Sequence, residues 1–257
     1  MNEKGIIGAI IGDVVGSRFE WLNTKKTDFD LFAPGSKFTD DTVMTVAVAE
    51  WLATGGDLAS IMQKWGRRYP GAGYGGMFSI WLEKEPPKPY NSYGNGSAMR
   101  VSPVGFYAKS LEEALELAEA TAEVSHNHPQ GIRGAQSIAA SIYLALNGKS
   151  KDEIREYVET EFGYNLHQSC DDIRPTYRFD VTCQGSCPQA IIAFLESYDY
   201  ESAIRLAVSL GGDSDTIACM AGGIAAAFYG VPDNLVVKVR EYLSEDIIDA
   251  IDMFEQL

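Results

Sequence analysis

Apolar positions along this chain recur with the period of helices far more than with that of strands. Behind Thr39-Asp40-Asp41-Thr42 an apolar run extends from Val43 to Ala53, and Gly55-Gly56 closes it, which predicts a helix with a polar start and a glycine stop. Asp57 is placed to cap a second segment that runs through Trp65 toward Tyr69. Ser110 with Glu113, and Ser150 with Glu153, have the spacing of capping boxes ahead of apolar stripes. Pro129 suits a first helical turn, and Ile132, Ile138, Ile142 and Leu146 mark the buried face of the helix that follows it to Asn147-Gly148. Four more helical stretches fit the region from Pro188 to the C-terminus. Sustained period-two alternation is absent, so the pattern predicts an all-α fold, and nothing in the chain forces a division of residues 1–257.

Three tracts resist a helical reading. Tyr69 to Gly76 and Glu85 to Gly96 are rich in Gly, Pro, Tyr and Asn, and Gly163 to Pro188 is a longer irregular stretch. Irregular segments of this length in a compact chain are usually functional or mobile, so these are expected to rim a site. Glycine also marks two helices. Gly5, Gly8, Gly12 and Gly16 share one helical face, and Ala221-Gly222-Gly223 with Ala225 to Ala227 give a late helix a similarly small surface. Each interior glycine costs up to about 1 kcal/mol against alanine. Close approach of two helix backbones is the simplest compensation, and it predicts a central helix pair.

Composition narrows the class. The net charge of −15 over 257 residues argues against a nucleic-acid backbone or an anionic membrane surface as main partner. Four cysteines with one C-x₃-C spacing, and three histidines, do not make a zinc site. No run has the length of a membrane span and no cleavage pattern follows the first apolar segment, so a soluble, cytoplasmic protein with reduced thiols is expected, with a slight lean toward a monomer.

Two acidic clusters carry the chemistry. Thr39-Asp40-Asp41-Thr42 and Asp213-Ser214-Asp215-Thr216, the latter after Gly211-Gly212, each bring two carboxylates and hydroxyls to a predicted helix start. One reading is capping, since the helix macrodipole favours anions in a first turn. The other is a pair of hard divalent cations, Mg²⁺ or Mn²⁺, which prefer all-oxygen ligands and whose charge would offset four aspartates. The two are compatible, because a capping carboxylate keeps lone pairs free. The D-x-D of Asp213 and Asp215 also has the outline of an aspartate-nucleophile phosphatase, but Ile217 and the glycine flank do not fit that motif.

Further candidates are weaker singly. Asn91-Ser92-Tyr93-Gly94-Asn95-Gly96-Ser97 reads either as an ordinary turn before a helix or as an anion-binding loop, with Tyr93 offering a stacking face. In Ser125-His126-Asn127-His128-Pro129 the i, i+2 histidines could bind metal, though an oxygen-rich Mg²⁺ site would not need them; His126 suits substrate contact and His128 a surface or capping role. Glu20 is a metal ligand, a general base or a solvated surface glutamate, and Trp21 with nearby aromatics suits a mouth.

Taken together, these motifs resemble the ADP-ribosylglycohydrolase family. The resemblance rests on Gly12-Asp13-x-x-Gly16 with Glu20, Phe38 to Thr42, Tyr93 to Arg100, Ser125-His126 and Gly211 to Thr216, in the family's order over almost the whole chain. The tract from Asp180 to Gln189 fits as well. It implies a single compact orthogonal helical domain and a binuclear Mg²⁺ or Mn²⁺ centre that removes ADP-ribose from a modified protein or small molecule. By position, Thr39, Asp40, Asp41, Asp213, Asp215 and Thr216 would hold the metals, and Glu20, Asp40 and Asp41 would act in catalysis. Ser92, Tyr93, Gly94, Asn95, Gly96, Ser97 and His126 would bind substrate. An idle ADP-ribose-binding sensor or scaffold, or a hydrolase of another small glycoside, remains as an alternative.

Overall fold

The structure is a computed structural model that describes residues 5–257. Fifteen α-helices follow one another among the described residues: α1 (Ile7–Gly16), α2 (Asp40–Thr54), α3 (Leu58–Arg68), α4 (Gly76–Leu82), α5 (Gly96–Met99), α6 (Ser102–Tyr107), α7 (Leu111–Glu123) and α8 (Pro129–Leu146), then α9 (Lys151–Phe162), α10 (Cys170–Ile173), α11 (Cys183–Glu196), α12 (Tyr200–Leu210), α13 (Ser214–Tyr229), α14 (Asp233–Arg240) and α15 (Glu245–Phe254). Among the described residues, extended chain pairs only as an isolated antiparallel bridge between Gly94 and Thr182. The all-α expectation is met. No helix of the described residues is long and apolar enough to cross a membrane.

At the centre, α1 and α13 run antiparallel in direct backbone contact. A Cβ built on Gly12 would lie 2.0 Å from the Ala218 carbonyl oxygen, and one on Gly16 2.5 Å from the Asp215 Cα. Near the other end, a Cβ on Gly8 would lie 2.4 Å from that of Ala226, and one on Gly222 2.4 Å from the Gly8 oxygen. The small residues are therefore there for approach, as expected. Every residue of α1 is buried, and so is α13 from Ser214 to Ala227. Helices α8, α11 and α12 pack around α13, α7 covers α8, and α3 and α15 cover α2.

Capping sets the helix starts that matter. Thr39 Oγ1 accepts from Asp41 N at the head of α2, and Gly55, at φ +74°, ends that helix. The Ser150/Glu153 box is complete, whereas at α7 Ser110 accepts from Glu113 N but Glu113 turns to the Lys109 amide. Gly211 and Gly212, both at positive φ, turn the chain from α12 into α13, a conformation open to glycine at little cost.

Two expectations are corrected. The tract from Gly163 to Pro188 is not wholly irregular: it holds α10, and α11 starts at Cys183, so Pro188 sits inside a helix, without an N–H for the Gln184 carbonyl. From Pro188 onward there are accordingly five helical stretches rather than four. Thr182 explains the early start, since its hydroxyl accepts from Gly185 N at 3.1 Å and supplies the cap that a proline-centred reading overlooks.

Candidate active site

Three distant segments bring carboxylates to one buried point. Helix α1 delivers Asp13, the head of α2 delivers Asp40 and Asp41, and the head of α13 delivers Asp215, with Asp213 just before it. The glycine contacts make this possible, because Gly16 lies against the backbone at Ser214 and Asp215. One carboxylate oxygen from each of Asp13, Asp41 and Asp215 lies within 4.8 Å of the others.

The carboxylates differ in how they are satisfied. Asp13, fully buried, accepts from Thr39 N (2.9 Å), Thr39 Oγ1 (2.7 Å), Thr42 N (3.1 Å) and Thr42 Oγ1, so it stabilises the N-terminus of α2 from across the core. Asp213 Oδ2 accepts from Asn95 Nδ2 at 2.7 Å. Thr216 Oγ1 lies 3.2 Å from Asp41 Oδ2, but Asp41 Oδ1 is buried with no hydrogen-bond partner. A buried carboxylate oxygen without such a partner is a place for a bound ion or water. Burial raises the pKa of Asp13, Asp40, Asp41, Asp213 and Asp215 alike, and neighbouring carboxylates push Asp40 and Asp41 further, Asp40 to about 8. Such a group cannot ionise together without positive charge between its members. The all-oxygen, anionic donor set fits hard divalent cations.

These residues form one wall of a cavity of about 490 Å³. Half-buried Glu20 stands at its edge, its pKa raised by burial and by Asp213 and lowered by Lys37. A second part of the lining consists of Ser92, Gly94, Gly96, Arg100 and His126 with the rings of Phe78 and Tyr90. Burial, reinforced by the Arg100 charge, holds His126 well below the ordinary imidazole range and hence neutral. Trp21 and Phe179 stack at 5.3 Å where the cavity opens, matching the expected aromatic mouth.

Most residues singled out in the sequence converge here. Glu20, Asp40, Asp41, Ser92, Gly94, Asn95, Gly96, His126, Asp213, Asp215 and Thr216 all line the cavity. Thr39 lies just behind, bonded to Asp13. Tyr93 and Ser97 do not reach it: Tyr93 is exposed and packs on His128 at 5.2 Å, and Ser97 is buried with its hydroxyl on the Gly131 carbonyl at 2.8 Å. Asn95 faces the cavity but is also tied to Asp213, so the loop and the acidic wall are coupled. His128 caps α8, accepting from Gln130 N. Asp13 was not among the predicted ligands, although a lone charge inside the apolar run from Ile6 to Val15 is a visible signal. Arg100, fully buried, and the rim residues Tyr74, Phe78, Tyr90 and Phe179 were likewise unassigned; all but Arg100 fall in the tracts or flanks expected to form a rim.

Known proteins are similar to this chain over most of their lengths. The human protein ADP-ribosylhydrolase ARH3 is 28% identical, with 95% of this chain and 90% of that protein aligned. ADP-ribosylarginine hydrolase Tri1 of Pseudomonas putida (strain GB-1) is 26% identical over 98% of this chain and 79% of its own. A solved chain described as an ADP-ribosylglycohydrolase-related protein complex superposes with a TM-score of 0.74 at 23% identity, covering 99% of this chain and 96% of that one, which shows a common fold. With the family model for ADP-ribosylglycohydrolase matching residues 3–257, the chain belongs to the ADP-ribosylglycohydrolase family.

Proposed function

We propose that this glycohydrolase removes mono-ADP-ribosyl groups from modified targets by hydrolysing the glycosidic bond at the distal ribose, with two divalent cations, Mg²⁺ or Mn²⁺, at the acidic wall. The observation that carries the reading is the buried, partnerless Oδ1 of Asp41 within a set of five carboxylates whose ionisation burial opposes. Thr39, Asp40, Asp41, Asp213, Asp215 and Thr216 would hold the cations, with Asp13 bracing Thr39 and Thr42 behind them. Bound there, such cations supply Lewis-acid stabilisation of ribose hydroxyls and of an attacking water.

The chain itself provides orientation and proton handling. Glu20, half-buried with a raised pKa, is suited to hold or release a proton at the leaving atom or the water, and Asp40 is a second group for that task. The Gly94–Gly96 loop offers close backbone approach to the diphosphate, with His126 beside it. The stacked rings of Trp21 and Phe179 line the cavity beside Glu20 and offer an apolar face to the ligand.

The test is release of ADP-ribose from arginine- and serine-modified peptides with Mg²⁺, with Mn²⁺ and with EDTA. Metal-dependent release is expected, and the faster peptide identifies the linkage. Binding of ADP-ribose without release from either peptide would instead support a sensor, and neither binding nor release would refute the assignment.

A further inference from the structure

A hydrogen-bonded chain behind the cavity wall is accounted for neither by metal holding nor by helix capping. Arg100 is fully buried and pairs with no carboxylate among the described residues. Its Nη2 donates to the Thr121 carbonyl at 2.7 Å and to Ser125 Oγ at 3.0 Å. Ser125 Oγ lies in turn 2.8 Å from His126 Nδ1.

Chemistry sets the direction of each bond. A guanidinium can only donate, so the Ser125 oxygen accepts from Arg100. The Ser125 oxygen keeps a second lone pair, but its proton has no acceptor other than His126 Nδ1 among the described residues; donation to the ring therefore satisfies both groups, and a ring nitrogen that accepts carries no proton. A neutral imidazole keeps its single proton on the other nitrogen, Nε2. The neighbouring Arg100 charge opposes a second proton on the ring. Nε2 has no hydrogen-bond partner among the described residues, and it faces the loop: a Cβ on Gly96 would lie 3.0 Å from it and one on Gly94 3.5 Å.

We propose that Arg100 and Ser125 are positioning residues that set His126 as its Nε2–H tautomer, so that the ring donates from the cavity wall to an anionic oxygen of the ligand beside Gly94 and Gly96. The opposite tautomer would present a lone pair to that oxygen and repel it. This assignment rests on the reading of the cavity as an ADP-ribose site, but the tautomer can be measured without any ligand.

The experiment is a long-range ¹H–¹⁵N correlation spectrum of protein labelled at its three histidines, with His126 identified by the signals lost in His126→Asn. The expected result is Nδ1 at the shift of an unprotonated nitrogen and Nε2 at that of a protonated one, unchanged between about pH 5.5 and about pH 8.5. Ser125→Ala should populate the second tautomer and weaken ADP-ribose binding about tenfold by calorimetry, the effect of losing about 1.4 kcal/mol. A His126 proton on Nδ1 in the wild-type protein, or an unchanged spectrum and affinity in folded Ser125→Ala, would overturn the proposal. Should Ser125→Ala not fold, the wild-type spectrum still decides it. The expected tautomer, lost in Ser125→Ala, in a protein that binds no ADP-ribose would support the relay and refute the reading of the cavity.

Discussion

Two walls of the cavity, the acidic one and the loop one, are held by different means. The acidic wall comes from helix heads brought together by backbone contact between α1 and α13, and its side chains are carboxylates whose ionised form burial disfavours. The loop wall is a glycine-rich segment tied to Val181 through Asn95 N at 2.7 Å and backed by a buried cation and a neutral histidine. One wall needs positive charge from outside the chain; the other already supplies donors to an anion. On the function proposed above, a ligand with ribose hydroxyls at one end and a diphosphate further along would satisfy both at once. Asn95 links the walls by donating to Asp213, so neither is fully independent.

Breaking the acidic wall should have the largest effect. Asp41→Asn leaves an amide where the orphaned oxygen stood, and hydrolysis is expected to fall by about 10²- to 10³-fold, the range for removing one electrostatic group aimed at a reacting centre. Steady-state rates and Mn²⁺ titration calorimetry check it; wild-type turnover would refute a role for Asp41 in holding metal. Gly12→Ala attacks the scaffold instead. Its new Cβ would meet the Ala218 carbonyl at 2.0 Å, and overpacking of this kind costs about 1–3 kcal/mol or more. At about 2–4 °C per kcal/mol for a chain of this size, thermal unfolding should show the loss plainly.

Titration sharpens the contrast. Asp40 has an ordinary pKa of 3.8 and one of about 8 in the metal-free fold, so between those values the folded state holds the extra proton. Stability of EDTA-treated protein should therefore fall as pH rises through that window. Saturating Mn²⁺ requires ionised carboxylates, and its stabilisation should grow with pH over the same range, by at least about 2–4 °C in melting temperature. A metal-induced shift that does not vary with pH would contradict the origin assigned to the acidic wall's proton affinity.

The loop wall should respond to smaller changes. Gly96→Ala would put a methyl 3.0 Å from His126 Nε2, and ADP-ribose affinity is expected to drop about tenfold while Mn²⁺ affinity holds. Equal losses for both ligands would show that the walls cannot be perturbed separately. Tyr93→Ala, outside the cavity, should change affinity less than about twofold, within the range for exposed side chains away from a site; a larger loss would return Tyr93 to the ligand.

Much of this was legible in the chain, for local reasons. Helix periodicity, caps at Thr39, Asp57 and Ser150, and the glycine stop after Thr54 depend on neighbours a few positions away, and they appear in the structure as the pattern predicts. The early start of α11 was missed because Pro188 hid a cap at Thr182 six residues before it. The two acidic clusters stood out by composition, and the glycine face of α1 foretold a close partner. Which residues would share a cavity was not local. Asp13 joins the acidic wall because α1 crosses the head of α2, and Tyr93 leaves the loop wall because its ring turns onto His128. The Arg100–Ser125–His126 chain exists only because α5 and the segment after α7 meet in the core. Sequence alone determined the residue types, the helices and the two charged segments, since those follow from short-range patterning. Tertiary structure decided which oxygen is left without a partner and which donors face the cavity, because burial and hydrogen-bond geometry arise from contacts between segments far apart in the chain.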